Sequence, residues 1–133
     1  MADLIVLQPG PQATIQDLGR VGWQRFGVAA AGAMDPPSLR AANLLAGNPP
    51  GAAAVEFTLA GGEYEAEGAT VRLAVAGGDF QIAVDGEPVP PWTGFDLEPG
   101  RRLRIGAAGD ALRGYLAVGG GFALPPQLGS LST

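Results

Sequence analysis

The chain contains no cysteine, no histidine and no lysine; all eight of its basic residues are arginine. Without cysteine there is no disulfide framework, so thiol usage says nothing about compartment. Without cysteine or histidine a structural zinc site is nearly excluded. A Ser-His-Asp triad, a Cys-His pair, a Schiff-base lysine and a Walker-A lysine cannot be assembled from this chain alone. Chemistry is left to carboxylates, arginines, amides, hydroxyls and backbone N–H groups. Positive charge is also scarce: the formal net charge is −5 and the sequence pI about 4.5. That balance argues against nucleic-acid binding, which depends on neutralising phosphates. The one basic cluster, Arg101, Arg102 and Arg104 in "RRLR", reads as the outward face of a strand. No run approaches the roughly 20 apolar residues that span a bilayer. The opening "MADLIVLQPG" has neither the basic region nor the long apolar region of a signal peptide, so a cytoplasmic setting is expected.

What is present is apolar and heavily punctuated. The 133 residues fit one domain, and 47% hydrophobic against 16% charged content makes wholesale disorder a poor reading. The 22 glycines and 12 prolines are spread between short apolar phrases, as expected of many turns rather than a linker. "DLIVLQPGPQATIQDLG" reads as strand–turn–strand. "VEFTLAGGEYEAEG" reads as a hairpin turning at Gly61-Gly62, and "FQIAVDGEPV" as a hairpin at Asp85-Gly86. Pro99-Gly100 marks another turn, and "ALRGYLAVGGGF" closes the series. Alternation at period two with regular turns predicts a mainly β antiparallel sandwich or barrel. One helix stands out, over about 36–46. Asp35 suits the N-cap, Pro36 the first helical position and Gly47 the C′ position, and Asn48-Pro49-Pro50 prevents continuation. Leu39, Ala42, Leu45 and Ala46 share one face, enough for this helix to cover an open barrel end.

Several residues are candidates for chemistry. In "QDLGRVGWQRFG", Asp17 either caps a turn and pairs with Arg20, or the arginines serve a loop that takes a carboxylate or phosphate bidentately. Glu56 faces away from Val55 and Phe57, toward solvent or a groove; an exposed carboxylate is the plain reading and a general acid or base the functional one. Asp35 is explained by capping, yet it remains a carboxylate beside the same region. Tyr115 reads as core or groove lining. Asn43 is unexpected in a helix, and Asn48 has no capping explanation, so their amides are the better functional candidates of that stretch. The glycines after "AVAGG" and "AVGGG" suit bulges or tight bends better than an anion cradle.

Three longer stretches, "TIQDLGRVG", "GAMDPPSLRAANLLAGNP" and "RGYLAVGGG", together resemble the biotin-dependent carboxyltransferase, or allophanate-hydrolase-subunit-2-like, family, and the likeness resumes in "GEPVPPWTGFDLEPGRRLRIG" and "PPQLGSLST". That family includes the C-subunit of bacterial 5-oxoprolinase. The resemblance implies a cyclophilin-like β-barrel with one short capping helix, with 1–133 as a single carboxyltransferase-type domain forming the N-terminal half of a longer architecture. It implies a subunit-1-type partner, similar to the 5-oxoprolinase B-subunit, and a third subunit. It also implies a small amide or lactam substrate, and ATP used by the complex to open 5-oxoproline to glutamate. One alternative is carboxyl transfer from carboxybiotin, carried by a partner, to urea or a similar amide; with no lysine the chain cannot carry biotin itself. Another is a non-catalytic regulator that binds a kinase-inhibitor-like partner. On the first reading Asp17, Asp35 and Glu56 are expected as catalytic residues, and Arg20, Asn43, Asn48 and Tyr115 as substrate-binding residues of one shared groove, with no metal. The family's closing motif has an arginine where Leu131 stands here, which weakens any anion site at that position.

Overall fold

A computed structural model describes residues 3–16 and 34–120. Among the described residues, ten strands and one helix follow in the order β1 (Asp3–Pro9), β2 (Thr14–Gln16), α1 (Pro36–Ala46), β3 (Ala54–Thr58), β4 (Gly62–Glu67), β5 (Val71–Ala76), β6 (Phe80–Val84), β7 (Glu87–Val89), β8 (Thr93–Leu97), β9 (Arg102–Ala108) and β10 (Arg113–Val118). They form two five-stranded sheets, β1-β4-β9-β6-β7 and β2-β3-β10-β5-β8. Every registered pair is antiparallel.

Alternation accounts for the first sheet. Tyr64 and Ala66 on β4, Leu103 and Ile105 on β9, and Phe80 and Ile82 on β6 point into the space between the sheets. The intervening Glu63, Glu65, Arg102 and Arg104 line the opposite face, where Arg102 meets Glu65 at 3.0 Å and Arg104 meets Glu63 at 4.0 Å. Arg102 and Arg104 of the "RRLR" cluster thus form an outward strand face with acidic neighbours, whereas Arg101 precedes β9 and meets Asp85 at 3.5 Å. Phe57 from the second sheet meets Phe80 edge-to-face, with ring centroids 5.0 Å apart. Gly114 makes that contact feasible: a Cβ there would stand 2.5 Å from both rings.

The second sheet is covered on both faces. On β5, Val71, Leu73 and Val75 enter the inter-sheet core, whereas Ala74 and Ala76 lie under α1 together with Ala54, Tyr115 and Ala117. Alanines at this parity let the helix sit close, and Gly94 sharpens the fit, since a Cβ there would lie 2.4 Å from the Leu45 carbonyl oxygen. The helix therefore lies across an outer sheet face, rather than over a barrel end as its length alone suggested. Its bounds follow from its caps. Asp35 Oδ1 accepts from Ser38 N at 3.3 Å and Oδ2 from Ser38 Oγ at 2.6 Å. At the other end Gly47 takes φ 84°, and the Asn48 N–H donates to the Asn43 carbonyl at 2.8 Å. Burying Leu39 fully contributes about 2 kcal/mol.

Two hairpin expectations meet different outcomes. Asp85-Gly86 does turn β6 into β7, with Val84 opposite Glu87. Gly61-Gly62, by contrast, carries the chain from β3 in one sheet to β4 in the other, and β1 and β2 are likewise split between sheets. Glycine marks the bend in both cases, but it does not say which strand becomes the neighbour.

Candidate functional site

One cross-strand row of the second sheet carries Thr14, Glu56, Tyr115 and Ala76, each directly opposite the next. Directly opposed residues of an antiparallel pair face the same way. Tyr115 and Ala76 in this row face α1, so Glu56 does too. The expectation of an exposed Glu56 gives way here, because the parity is as read but the face it points to is covered. Its residue exposure is 8%.

Three hydrogen bonds organise this end of the helix. The Tyr115 hydroxyl donates to Glu56 Oε2 at 2.5 Å. The Met34 N–H donates to the same oxygen at 2.9 Å, and the Asp35 N–H donates to the Tyr115 hydroxyl at 2.8 Å. Both donors to Glu56 converge on Oε2 and neither reaches Oε1. Burial pushes the Tyr115 hydroxyl well above the usual phenol range, and the Glu56 hydrogen bond and nearby carboxylates push the same way; the Asp35 N–H opposes them. The phenol therefore remains a donor at any physiological pH. Beside it on β2, Gln16 is buried and its Nε2 donates to Thr14 Oγ1 at 3.0 Å.

The amides occupy the other end of α1. Asn43 is fully buried, and its Nδ2 donates to the carbonyls of Pro50 at 3.2 Å and Ala52 at 2.7 Å. Asn48 Nδ2 donates to Asn43 Oδ1 at 3.3 Å and to the Val118 carbonyl at 2.8 Å, while its Oδ1 accepts from Gly120 N at 2.9 Å. These contacts tie the loop after the helix to the end of β10. Asn43 lies eight residues along the helix from Asp35, a rise of about 12 Å, and Asn48 lies beyond the helix end.

The structure thus brings Asp35, Glu56 and Tyr115 together, and Asn43 with Asn48, in two clusters instead of one groove. Asp17 and Arg20 lie outside the described residues, as does Leu131. Thr14, Gln16 and the Met34 N–H were not anticipated. The polar Thr14-x-Gln16 parity on β2 was a readable signal for the first two, whereas a backbone donor leaves none. Among the described residues no group of three or more carboxylates is placed to hold a metal ion, and no helix is long and apolar enough to cross a membrane.

A phenol donor held against a buried carboxylate, with one carboxylate oxygen free of both donors, can orient a carbonyl or amide and hold or move a proton. Comparison with known proteins supplies a context. The profile of the family described as "Carboxyltransferase domain, subdomain A and B" matches residues 26–133. The chain is 38% identical to the 5-oxoprolinase C-subunit of Haemophilus influenzae over 96% of its own length and 41% of the relative's. For the Escherichia coli protein of that name the figures are 40%, 98% and 42%. It is also 39% identical to urea amidolyase of Saccharomyces cerevisiae, over 94% of this chain and 7% of that one. The crystal structure of Kluyveromyces lactis urea carboxylase superposes with a TM-score of 0.91 at 34% identity, covering 98% of this chain and 12% of that one. The chain spans about two-fifths of the length of the 5-oxoprolinase proteins it matches.

Proposed function

Because the chain belongs to the family of carboxyltransferase domains, subdomains A and B, we propose that it works as a subunit, or part of one, in a 5-oxoprolinase-type complex. That complex opens the lactam 5-oxoproline to glutamate at the expense of ATP. The observation that carries this reading is 38–40% identity to two 5-oxoprolinase C-subunits over nearly the whole chain. The geometry adds a chemical part. Glu56 and Tyr115 meet the head of α1, and Glu56 Oε1 is the oxygen available to a substrate N–H or a transferred proton. Asp35, whose side chain is held by Ser38, shapes this end of the cluster. Asp17 and Arg20 remain candidates for contacting the substrate carboxylate. Asn43 and Asn48 support the site from the far end of the helix by fixing where α1 and β10 end. With no lysine in the chain, the ATP phosphates are held without a lysine from it.

The test is reconstitution. The purified chain is mixed with a subunit-1-type protein and the third subunit, and ATP hydrolysis dependent on 5-oxoproline is measured. Turnover that is lost on omitting this chain, and that falls at least 100-fold in Glu56→Gln with assembly intact, supports the reading. A stable complex without turnover leaves the non-catalytic regulatory role instead. A second enzymatic reading rests on the urea amidolyase and urea carboxylase matches, in which this domain accepts a carboxyl group from biotin on another polypeptide and passes it to urea. Carboxylation of urea from free carboxybiotin, without any effect of 5-oxoproline on ATP hydrolysis, would favour that reading.

A further inference from the structure

Two polar atoms in the row Thr14–Glu56–Tyr115 are left unused by the row's own hydrogen bonds. Glu56 is buried, and both of its donors, the Met34 N–H and the Tyr115 hydroxyl, are spent on Oε2. Oε1 accepts from neither and is not sealed from solvent, so it is the carboxylate oxygen that a ligand can reach. Thr14 supplies the second atom. It is half-buried on β2 and directly opposite Glu56, where cross-strand Cβ atoms stand about 5 Å apart. Its Oγ1 accepts from Gln16 Nε2 at 3.0 Å, which leaves the hydroxyl proton to be given away. Among the described residues Thr14 makes no other side-chain hydrogen bond, so that proton has no acceptor. Because α1 packs chiefly on β5 and β10, β2 and β3 lie toward the margin of the face it covers.

The pair therefore presents, side by side, a hydroxyl that gives a proton and a carboxylate oxygen that takes one. Ligand groups sort by what they can offer to both. A carboxylate has no donor to give and is repelled by Glu56. A trans amide carries its N–H and C=O on opposite edges of one plane, so it meets only one of the two groups. A cis amide carries both on the same edge and meets the two together. Ring closure holds the amide of a small lactam cis, and urea and primary amides present the same edge.

We infer that Thr14 and Glu56 form a recognition edge for a cis amide, in which the Thr14 hydroxyl donates to the carbonyl oxygen and Glu56 Oε1 accepts from the N–H. Thr14 is thereby a specificity-determining residue. The inference deepens the reading proposed above and rests on it for placing the substrate at Glu56. A lactam and urea both carry the required edge, so it holds for either enzymatic reading. The arrangement also serves proton transfer. A donor on the carbonyl oxygen draws charge away from the nitrogen, and the N–H that becomes more acidic is the one facing Oε1. Tyr115 and the Met34 N–H hold the carboxylate from its other oxygen, which fixes the side that Oε1 presents.

The experiment is a nuclear magnetic resonance titration of the full chain with small neutral amides. γ-Butyrolactam should give saturable shifts at the amides of Thr14, Met34 and Glu56. Its N-methyl derivative, which has no N–H, and N-methylacetamide, which is trans, should each bind about tenfold more weakly, the worth of one hydrogen bond. Thr14→Val keeps the branched shape without the hydroxyl. It should lose the same factor for the lactam and bind lactam and N-methylacetamide alike, a loss of discrimination that a merely structural role would not produce. Thr14→Ser should bind the lactam as the wild type does. The ligand comparison needs no variant, so it decides the matter even where Thr14→Val melts early. No saturable shift in the wild type, equal affinity for the three amides, or undiminished lactam binding by Thr14→Val overturns the inference. Lactam binding as expected, with no 5-oxoproline-dependent ATP hydrolysis in the reconstituted complex, overturns the 5-oxoprolinase reading alone.

Discussion

Replacing Tyr115 by phenylalanine keeps the ring among Leu39, Ala42 and Ala117 and removes one oxygen. That oxygen donates to Glu56 Oε2 and accepts from the Asp35 N–H. A hydrogen bond to a charged group contributes about 1.5–3 kcal/mol, and an orphaned, partly buried N–H adds about 1 kcal/mol, so the expected loss is about 3 kcal/mol. For a domain of 133 residues that lowers the melting temperature by about 10 °C. Tyr64→Phe is the matched control. Its hydroxyl is as buried but makes one neutral bond, to the Gly61 carbonyl at 2.6 Å, worth about 1 kcal/mol. Thermal melts and urea titrations of the three proteins measure both differences, and an unchanged urea m-value shows that the folded and unfolded states stay comparable. Equal losses in the two variants would refute the claim that the carboxylate partner makes Tyr115 special. So would a Tyr115→Phe protein that melts within about 2 °C of the wild type.

Alkaline conditions should unfold the chain through the same tyrosines. Burial pushes Tyr64 from 10.0 to about 12, so its folded state keeps a proton that the unfolded chain has lost. The stabilisation is complete below pH 10 and vanishes as pH rises toward 12, and the gap corresponds to about 3 kcal/mol. Tyr115 moves in the same direction. Urea midpoints between about pH 9 and 12 should fall steeply in the wild type and less so in Tyr64→Phe; a flat profile contradicts the assignment. Asn48→Ala removes the ties to the Val118 carbonyl and the Gly120 N–H and should cost about 2 kcal/mol. Faster hydrogen exchange at the Gly120 amide is the local readout, and unchanged exchange would count against the tie. Gly94→Ala puts a Cβ 2.4 Å from the Leu45 carbonyl oxygen and should cost about 2 kcal/mol by lifting α1. A melting temperature equal to wild type would show that the helix yields freely.

Local signals were readable in the sequence because the forces behind them are local. Asp35, Pro36 and Gly47 bound α1 as capping chemistry requires, and Asp85-Gly86 makes its hairpin. What alternation could not supply was the assignment of strands to sheets. A Gly-Gly bend serves a hairpin or a crossing equally well, and β10 finds its neighbours β3 and β5 only through long-range packing. Glu56 shows the same limit in the site: its parity was legible, but the cover over that face was not. A clue did exist in β5, where Ala74 and Ala76 alternate with Leu73 and Val75. Small residues opposite large ones mark a strand buried on both sides, here by a helix at close range. The hydrogen bond from the Met34 N–H had no such clue, since every residue but proline offers the same donor.

The cluster's position on the helix-docking face constrains how its chemistry can be tested. Glu56 and Tyr115 both bond to residues 34–35, immediately before the helix, so a substitution that disturbs them also loosens the head of α1. Lost turnover in a Glu56 variant is therefore compatible with a reactive carboxylate and with a misplaced helix. The two differ in what Tyr115→Phe does. If Glu56 serves only to hold the helix, Glu56→Gln and Tyr115→Phe should lower turnover in proportion to the stability each loses. If Glu56 Oε1 handles a proton, Glu56→Gln should abolish turnover while Tyr115→Phe leaves much of it, because glutamine keeps an acceptor for both donors but cannot act as a base. Turnover and stability measured on the same pair of variants thus separate the two roles.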